Sequence, residues 1–215
     1  MWLLVVAMLL VPLLLSPNAA SAAPDPEGRF AFTRPLPPVA DEPLRSPGRP
    51  GELRLVRLAD PSERGLRVAV LVEGRLRVSA QSFARAVGDA LHDPRGWRSA
   101  GYRFRLVARP PAEIQVVLAS PGLTDSLCAP LLTLGRYSCA QGDRAVLNFT
   151  RWQEGIPDYG SLARYRIYMV NHEVGHLLGR GHTYCSGAGA LAPLMMQQTK
   201  SVAPCRPNPW PLPGE

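Results

Sequence analysis

The stretch His172–His182 reads HEVGHLLGRGH and contains three of the chain's four histidines. His172 and His176 are four residues apart. On an α-helix this spacing puts both side chains on one face, with Cβ atoms about 5–6 Å apart. Two imidazoles so placed can fill two adjacent positions of a tetrahedral zinc site, where each Zn–N bond is about 2.0–2.1 Å. The spacing therefore predicts a helix that carries two metal ligands.

Three further residues in the same stretch would each have a separate role in a zinc site. Gly179 can end the helix at positive φ, so that the chain returns and offers His182 as a third ligand. Three protein ligands leave a fourth position open for water, as in catalytic zinc sites. Glu173 lies beside the first ligand, where a carboxylate can accept a proton from water activated by the metal. The alternative is a helix end whose histidines are satisfied by hydrogen bonds. Zinc is favoured because five positions each suit a zinc site: His172, Glu173, His176, Gly179 and His182.

The pattern HExxHxxGxxH is the signature of the metzincin clan of zinc peptidases, which this stretch resembles. The clan also has a methionine turn beneath the metal, and residues 192–197 read APLMMQ. Met195 is the predicted turn residue, with Met196 as the second choice. Thr183 follows the third histidine, where the better-known metzincin families carry Ser, Asp or Glu, so the chain is not assigned to any of those families.

The resemblance extends over most of the chain from about residue 51 onward. The chain is similar to a secreted actinobacterial family whose members carry a domain of unknown function placed near the metzincins. The stretches that carry this likeness are CAPLLTLGRYSC (Cys128–Cys139), RYRIYMVNHEVGH (Arg164–His176), APLMMQQT (Ala192–Thr199) and CRPNPWP (Cys205–Pro211).

The metzincin resemblance implies an α+β, zincin-like domain with a twisted mixed β-sheet, a backing helix, an active-site helix and a loop-rich C-terminal part. It implies a secreted zinc-dependent endopeptidase, with Zn²⁺ held by His172, His176 and His182 and Glu173 as the general base. A protein or peptide substrate would lie extended along an edge strand. Two alternatives stay open: a zinc amide hydrolase acting on cell-wall material, and a non-catalytic, metal-stabilised extracellular binding module.

The N-terminal part of the chain predicts export. Residues 1–15 are apolar, and residues 20–22 read ASA, a small-residue cleavage pattern, so residues 1–22 are predicted to be a signal peptide. The apolar run is shorter than the roughly 20 residues of a spanning helix, which disfavours a stable membrane span in the mature form. If the segment is uncleaved, it would be an anchor. Residues 23–50 are proline-rich and predict a linker or a short pro-segment, and residues 51–215 predict the catalytic domain.

The formal net charge is +7, and Lys200 is the only lysine. The arginines are scattered rather than clustered, which argues against a nucleic-acid partner. We expect a monomer.

The order of predicted elements agrees with an α+β domain. Strands are predicted at residues 66–72, 102–107, 114–118 and 145–149. Ser79 or Ser82 can cap a helix whose stripe of Phe83, Val87 and Leu91 has core spacing, and Ser161 can cap the helix that carries the histidines. That metal helix should be anchored on the side of Ile167, Val170, Val174 and Leu177. Tyr165 and Met169 share the histidines' stripe, on the side that should face the cleft. Tyr165 or Tyr168 could assist in the cleft, but packing against neighbouring loops is favoured for each.

Four cysteines behind a signal peptide predict disulfides. Four cysteines allow three pairings, and the preferred one joins neighbours, Cys128 with Cys139 and Cys185 with Cys205. The second bond would close the loop that carries the methionine turn. A cysteine ligand for zinc is disfavoured because the three histidines already fill the site.

Overall fold

The computed structural model describes residues 49–58 and 64–215. The predicted signal peptide at residues 1–22 lies outside the described residues, as does the proline-rich segment up to residue 48. These described residues form six strands and four α-helices: β1 (Leu53–Leu55), β2 (Leu66–Glu73), α1 (Ala80–His92), β3 (Phe104–Leu106), β4 (Ile114–Ala119), α2 (Pro121–Cys128), β5 (Cys139–Gln141), β6 (Arg144–Asn148), α3 (Phe149–Glu154) and α4 (Leu162–Leu177).

The strands form one open, mixed sheet in the order β1-β2-β4-β6-β5, and β3 also pairs with β2. The three central strands run parallel, and β1 and β5 are antiparallel to their neighbours at the two edges. Strand β4 is buried throughout, and its sequence IQVVLA, apolar except at Gln115, is typical of a strand covered on both faces. The predicted α+β class and mixed sheet are therefore confirmed.

Helices α1 and α4 pack on one face of the sheet in the main core. The predicted stripe of α1 is confirmed, since Phe83, Val87 and Leu91 are each at most 1% exposed. Ser79 caps this helix by accepting a hydrogen bond from the Ser82 amide at 3.2 Å. The opposite face of the sheet has a smaller core against α2. Both faces are thus covered, and α4 is held firmly against the sheet.

The structure corrects several predictions made from periodicity. The strand expected at residues 102–107 is only Phe104–Leu106. The last predicted strand ends at Asn148, because this side chain accepts from the Arg151 amide and starts α3 at Phe149. Three α-helices, rather than one, precede α4.

The stripe of α4 that carries the histidines was predicted to face the cleft, but its first half is buried, and Tyr165 and Tyr168 pack against neighbouring loops as the sequence favoured. Tyr165 is fully buried and Met169 is 2% exposed. The loop-rich C-terminal part covers this side of the helix, and the Tyr165 hydroxyl lies 3.0 Å from that of Thr199. Only the C-terminal half of the stripe, at the histidines, reaches a cleft.

Both predicted disulfides are present. Cys128 and Cys139 have Cα atoms 6.1 Å apart, and Cys185 and Cys205 have Cα atoms 5.8 Å apart. Two disulfides fit an extracellular protein. In the part of the chain that the structure describes, no helix has the length and apolar content to cross a membrane.

Candidate metal centre

Helix α4 delivers two of the predicted ligands, and the turn after it delivers the third. Ser161 caps the helix start, with its hydroxyl accepting from the Arg164 amide at 3.4 Å. Gly179 follows the helix at φ +82°, as predicted for a residue that reverses the chain. The Arg180 amide donates to the Gly175 carbonyl at 2.9 Å, which fixes this reversal.

The imidazoles of His172, His176 and His182 converge, with one ligand atom of each within 4.8 Å of the others. The Nε2 atoms of His176 and His182 are 3.1 Å apart. Two ligands at about 2.0–2.1 Å from a tetrahedral zinc would be separated by about 3.3 Å. The spacing of these two nitrogens therefore fits a shared metal ion.

Hydrogen bonds at the Nδ1 atoms of two histidines leave the Nε2 lone pairs available to a metal ion. The Nδ1 atom of His172 lies 2.9 Å from the Leu194 carbonyl, and that of His176 lies 2.8 Å from the Arg180 carbonyl. A carbonyl can only accept, so each Nδ1 carries the proton and each neutral ring presents Nε2 as an acceptor. Such contacts orient histidine ligands in metal sites and raise their basicity.

Burial favours the neutral imidazoles that a metal needs. Burial lowers the pKa of His172 to about 3 and also lowers the pKa of His176 and His182. The neighbouring rings act in the same direction on His172 and His182. The three-histidine group can therefore hold a metal ion without first losing protons at neutral pH.

Glu173 faces the same cleft as the histidines. The residue is 6% exposed, and burial raises the pKa of its carboxyl to about 8. A cation bound in the cleft would favour the ionised form and lower this pKa again. The arrangement thus places one titratable carboxyl beside a site that can bind a cation.

Met195 packs directly against the metal-binding helix, whereas Met196 does not. A Cβ atom built on Gly175 would lie 2.6 Å from the Met195 sulfur and 2.5 Å from the Trp97 ring. Met196 is half-buried and packs instead against a separate small cluster in the C-terminal part. The Met195 side chain therefore contacts the helix that carries the histidines.

Substitution of Gly175 by alanine should destabilise the metal-free protein. Alanine usually improves a helix interior by about 0.5–1 kcal/mol, but overpacking a core costs about 1–3 kcal/mol. Overpacking should dominate because the Trp97 ring is held by its 2.8 Å hydrogen bond to the Asn171 carbonyl. Urea denaturation measures the change. The control is Gly122→Ala in α2, where no atom lies within 4 Å of the added Cβ. Equal stability of both variants would contradict this packing.

The sequence favoured packing of Tyr168 against a neighbouring loop, as the structure shows, but it did not predict the partners, which lie in the loop after Met195. The Tyr168 hydroxyl donates to the Met196 carbonyl and accepts from the Gln198 amide, both at 2.9 Å. Its ring centroid is 5.1 Å from that of His172. Burial raises the pKa of Tyr168, so the phenol is un-ionised in this role. Tyr168 therefore connects α4 to the loop that carries the Met195 segment.

Glu215 was also missed, and it holds three parts of the site together. One carboxylate oxygen accepts from the Met195 amide at 2.9 Å and from the Thr183 hydroxyl at 3.4 Å. The other accepts from the amides of Leu194 at 2.9 Å and Leu212 at 2.7 Å. Because Leu194 supplies the carbonyl bound by a ligand histidine, and Thr183 follows another, this carboxylate should position the metal ligands.

The substitution Glu215→Gln should lower the affinity for Zn²⁺ or Co²⁺ by about 10-fold, the lower end of the range for outer-shell partners of metal ligands. The amide nitrogen of glutamine cannot accept, so two of the four contacts are lost. Competition with a metal-binding dye measures the affinity. Asp89→Asn, at an exposed carboxylate on α1, is the control. Unchanged affinity in Glu215→Gln would show that these contacts do not position the ligands.

The site lies in a cleft of about 370 Å³. Edge strand β5, the segment before it and the segment after Met196 all contribute to its lining. The lining residues are Leu131, Leu132, Thr133, Tyr137, Ser138, Cys139, Ala140, Tyr168, His172, Glu173, His176, His182, Gln197, Thr199 and Lys200.

Comparison with known proteins identifies the family but no activity. Searches of curated proteins and of solved structures give no significant match. The family described as "Protein of unknown function (DUF3152)" matches residues 62–213, well over half of the chain and all of the metal centre. The chain therefore belongs to the DUF3152 family.

Proposed function

We propose that this protein is a secreted, zinc-dependent endopeptidase of the metzincin type. The observation that carries the proposal is the convergence of His172, His176 and His182 beside the carboxyl of Glu173 in one cleft. The spacing of the helical HExxH segment, the reversal at Gly179 and the packing of Met195 against α4 support the metzincin assignment.

Zinc is the metal that best suits these ligands. Three neutral imidazoles are a typical catalytic zinc set, and His182 is exposed, so the site faces solvent. Zinc bound there would supply Lewis acidity, polarising a substrate carbonyl and lowering the pKa of water towards 7.

Glu173 is the proposed general base and acid. Its carboxylate would accept a proton from the attacking water and later return that proton to the amine that leaves. Its burial suits this role, since exclusion of bulk water strengthens the interaction of a carboxylate with the reacting groups. No other carboxyl group lines the cleft among the described residues.

A polypeptide substrate is supported by the position of β5. This strand ends the sheet, pairs on its inner side with β6, and contributes Cys139 and Ala140 to the cleft. An extended peptide can add to such an edge through main-chain hydrogen bonds, which position a peptide independently of its sequence. Secretion is supported by the two disulfides and by the apolar segment at residues 1–15.

Metal analysis combined with a cleavage assay tests the proposal. We expect one zinc per chain, cleavage of a proteome-derived peptide library, and loss of cleavage with a chelator that is reversed by Zn²⁺. Purified peptidoglycan should be cleaved poorly. Preferential cleavage of peptidoglycan would instead establish a cell-wall amide hydrolase. A zinc-loaded protein that cleaves no amide substrate would be a binding module, and metal-free material indifferent to chelators would refute the metal site.

A further inference from the structure

A segment beside the metal centre exposes apolar side chains although its backbone is firmly held. Leu131, Leu132 and Leu134, here called the leucine ridge, lie between α2 and β5. Their exposed fractions are 50%, 85% and 67%. Half of the six exposed large apolar side chains among the described residues therefore lie within four consecutive positions. Contiguous exposed apolar surface, unlike scattered single residues, marks binding sites.

The ridge is not a loosely attached loop. The Cys128–Cys139 disulfide joins the residues that flank it. The Asp125 carboxylate accepts from the Thr133 hydroxyl and, at 2.7 Å, from the Gly135 amide. The Gly135 carbonyl accepts from the Asn148 side chain at 3.1 Å. The backbone conformation that turns these leucines towards solvent is therefore fixed, and a preorganised surface loses little entropy on binding.

The ridge is continuous with the proposed active site. Leu131 and Leu132 line the same cleft as Glu173 and the three histidines, and they precede the edge strand β5 by a few residues. Polar side chains also line the cleft, among them Gln197, Thr199 and Lys200. A peptide paired with β5 would project alternate side chains in opposite directions. One set would then face the ridge, and the other would point away from it.

We infer that the leucine ridge selects polypeptide substrates with a large apolar side chain next to the cleaved bond. This inference rests on the proposed peptidase function and narrows its substrate class. The ridge offers no charged or hydrogen-bonding group for sugar hydroxyls or carboxylates, so it favours Leu, Ile, Met or Phe over polar residues at one subsite.

Paired peptides that differ at one position test the inference. Zinc-loaded wild type should prefer the peptide with leucine over the one with serine by about 10-fold or more in kcat/KM, the range for a hydrophobic pocket. The variants Leu132→Ser and Leu131→Ser/Leu132→Ser should reduce this ratio by about 5–10-fold. Leu191→Ser, at an exposed leucine outside the cleft, is the matched control. Cobalt binding monitors the fold of each variant.

The outcomes separate the inference from the proposed function. Cleavage without apolar preference, or a preference unchanged in both ridge variants, would overturn the inference and leave the peptidase intact. Absence of cleavage by the zinc-loaded wild type would overturn both. A second assay measures binding to phosphatidylcholine vesicles containing phosphatidylglycerol. If the ridge variants lose vesicle binding but keep the wild-type cleavage preference, the ridge is a membrane contact and the inference is wrong.

Discussion

Replacement of Glu173 by glutamine or alanine should leave metal binding intact and reduce peptide hydrolysis by about 10²–10⁴-fold. This range is typical for the loss of a general acid–base group. Glutamine has nearly the same shape as glutamate, but its amide cannot accept a proton from water. His172 and His176 keep their backbone partners in both variants, because neither hydrogen bond involves Glu173. The measurements are kcat/KM on a cleaved peptide and bound zinc per chain.

The matched control for this experiment is Glu154→Gln, at an exposed carboxyl near the end of α3. It removes the same charge at a distance from the cleft and should hydrolyse peptides at the wild-type rate. A Glu173→Gln enzyme as fast as this control would show that another group moves the proton. If the variant instead loses zinc together with activity, Glu173 supports the metal rather than the chemistry.

The local features of the metal centre were predictable because they depend on residues close together in the chain. The four-residue spacing of His172 and His176 follows from helix geometry. Gly179 takes the positive φ that its position required, and Ser161 caps the helix as expected. The disulfide pairing between neighbouring cysteines was also confirmed. In each case, residues close together in the sequence are sufficient to explain the local structure.

The parts that sequence reasoning missed are short elements or long-range contacts. Helix α3 has six residues and β1 has three, too few for a hydrophobic period to be recognised. Tyr168 bonds a residue 30 positions away, and Glu215 bonds one 21 positions away. Neither partner can be identified without the fold, since no local pattern specifies it.

These long-range contacts also explain why the side of α4 that carries the histidines is mostly buried. The side chains of Tyr165 and Tyr168 reach the hydroxyl of Thr199 and the backbone of the loop after Met195. Leu194, which directly precedes Met195, supplies its carbonyl to His172. The first half of the histidine side of α4 thus supports the segment that orients His172.

Removal of the third histidine should have the largest effect on metal binding. In His182→Ala the metal keeps two protein ligands from α4, and its affinity should fall by more than the roughly 10–100-fold typical of outer-shell partners. A metal at 100 times its Kd stabilises the folded state by about 2.7 kcal/mol. For a chain of this length that corresponds to a rise in Tm of about 5–10 °C. Thermal unfolding with and without Zn²⁺ should show this rise in the wild type and little of it in the variant.

His92→Ala provides the matched control, because His92 is the chain's only other histidine and its ring contacts the Phe104 carbonyl at 3.2 Å, away from the cleft. This variant can have a lower Tm in the absence of metal, but the rise caused by Zn²⁺ should equal that of the wild type. The comparison therefore separates loss of a ligand from loss of stability. A full zinc-dependent rise in His182→Ala would mean that the exposed third imidazole lies near the metal without binding it.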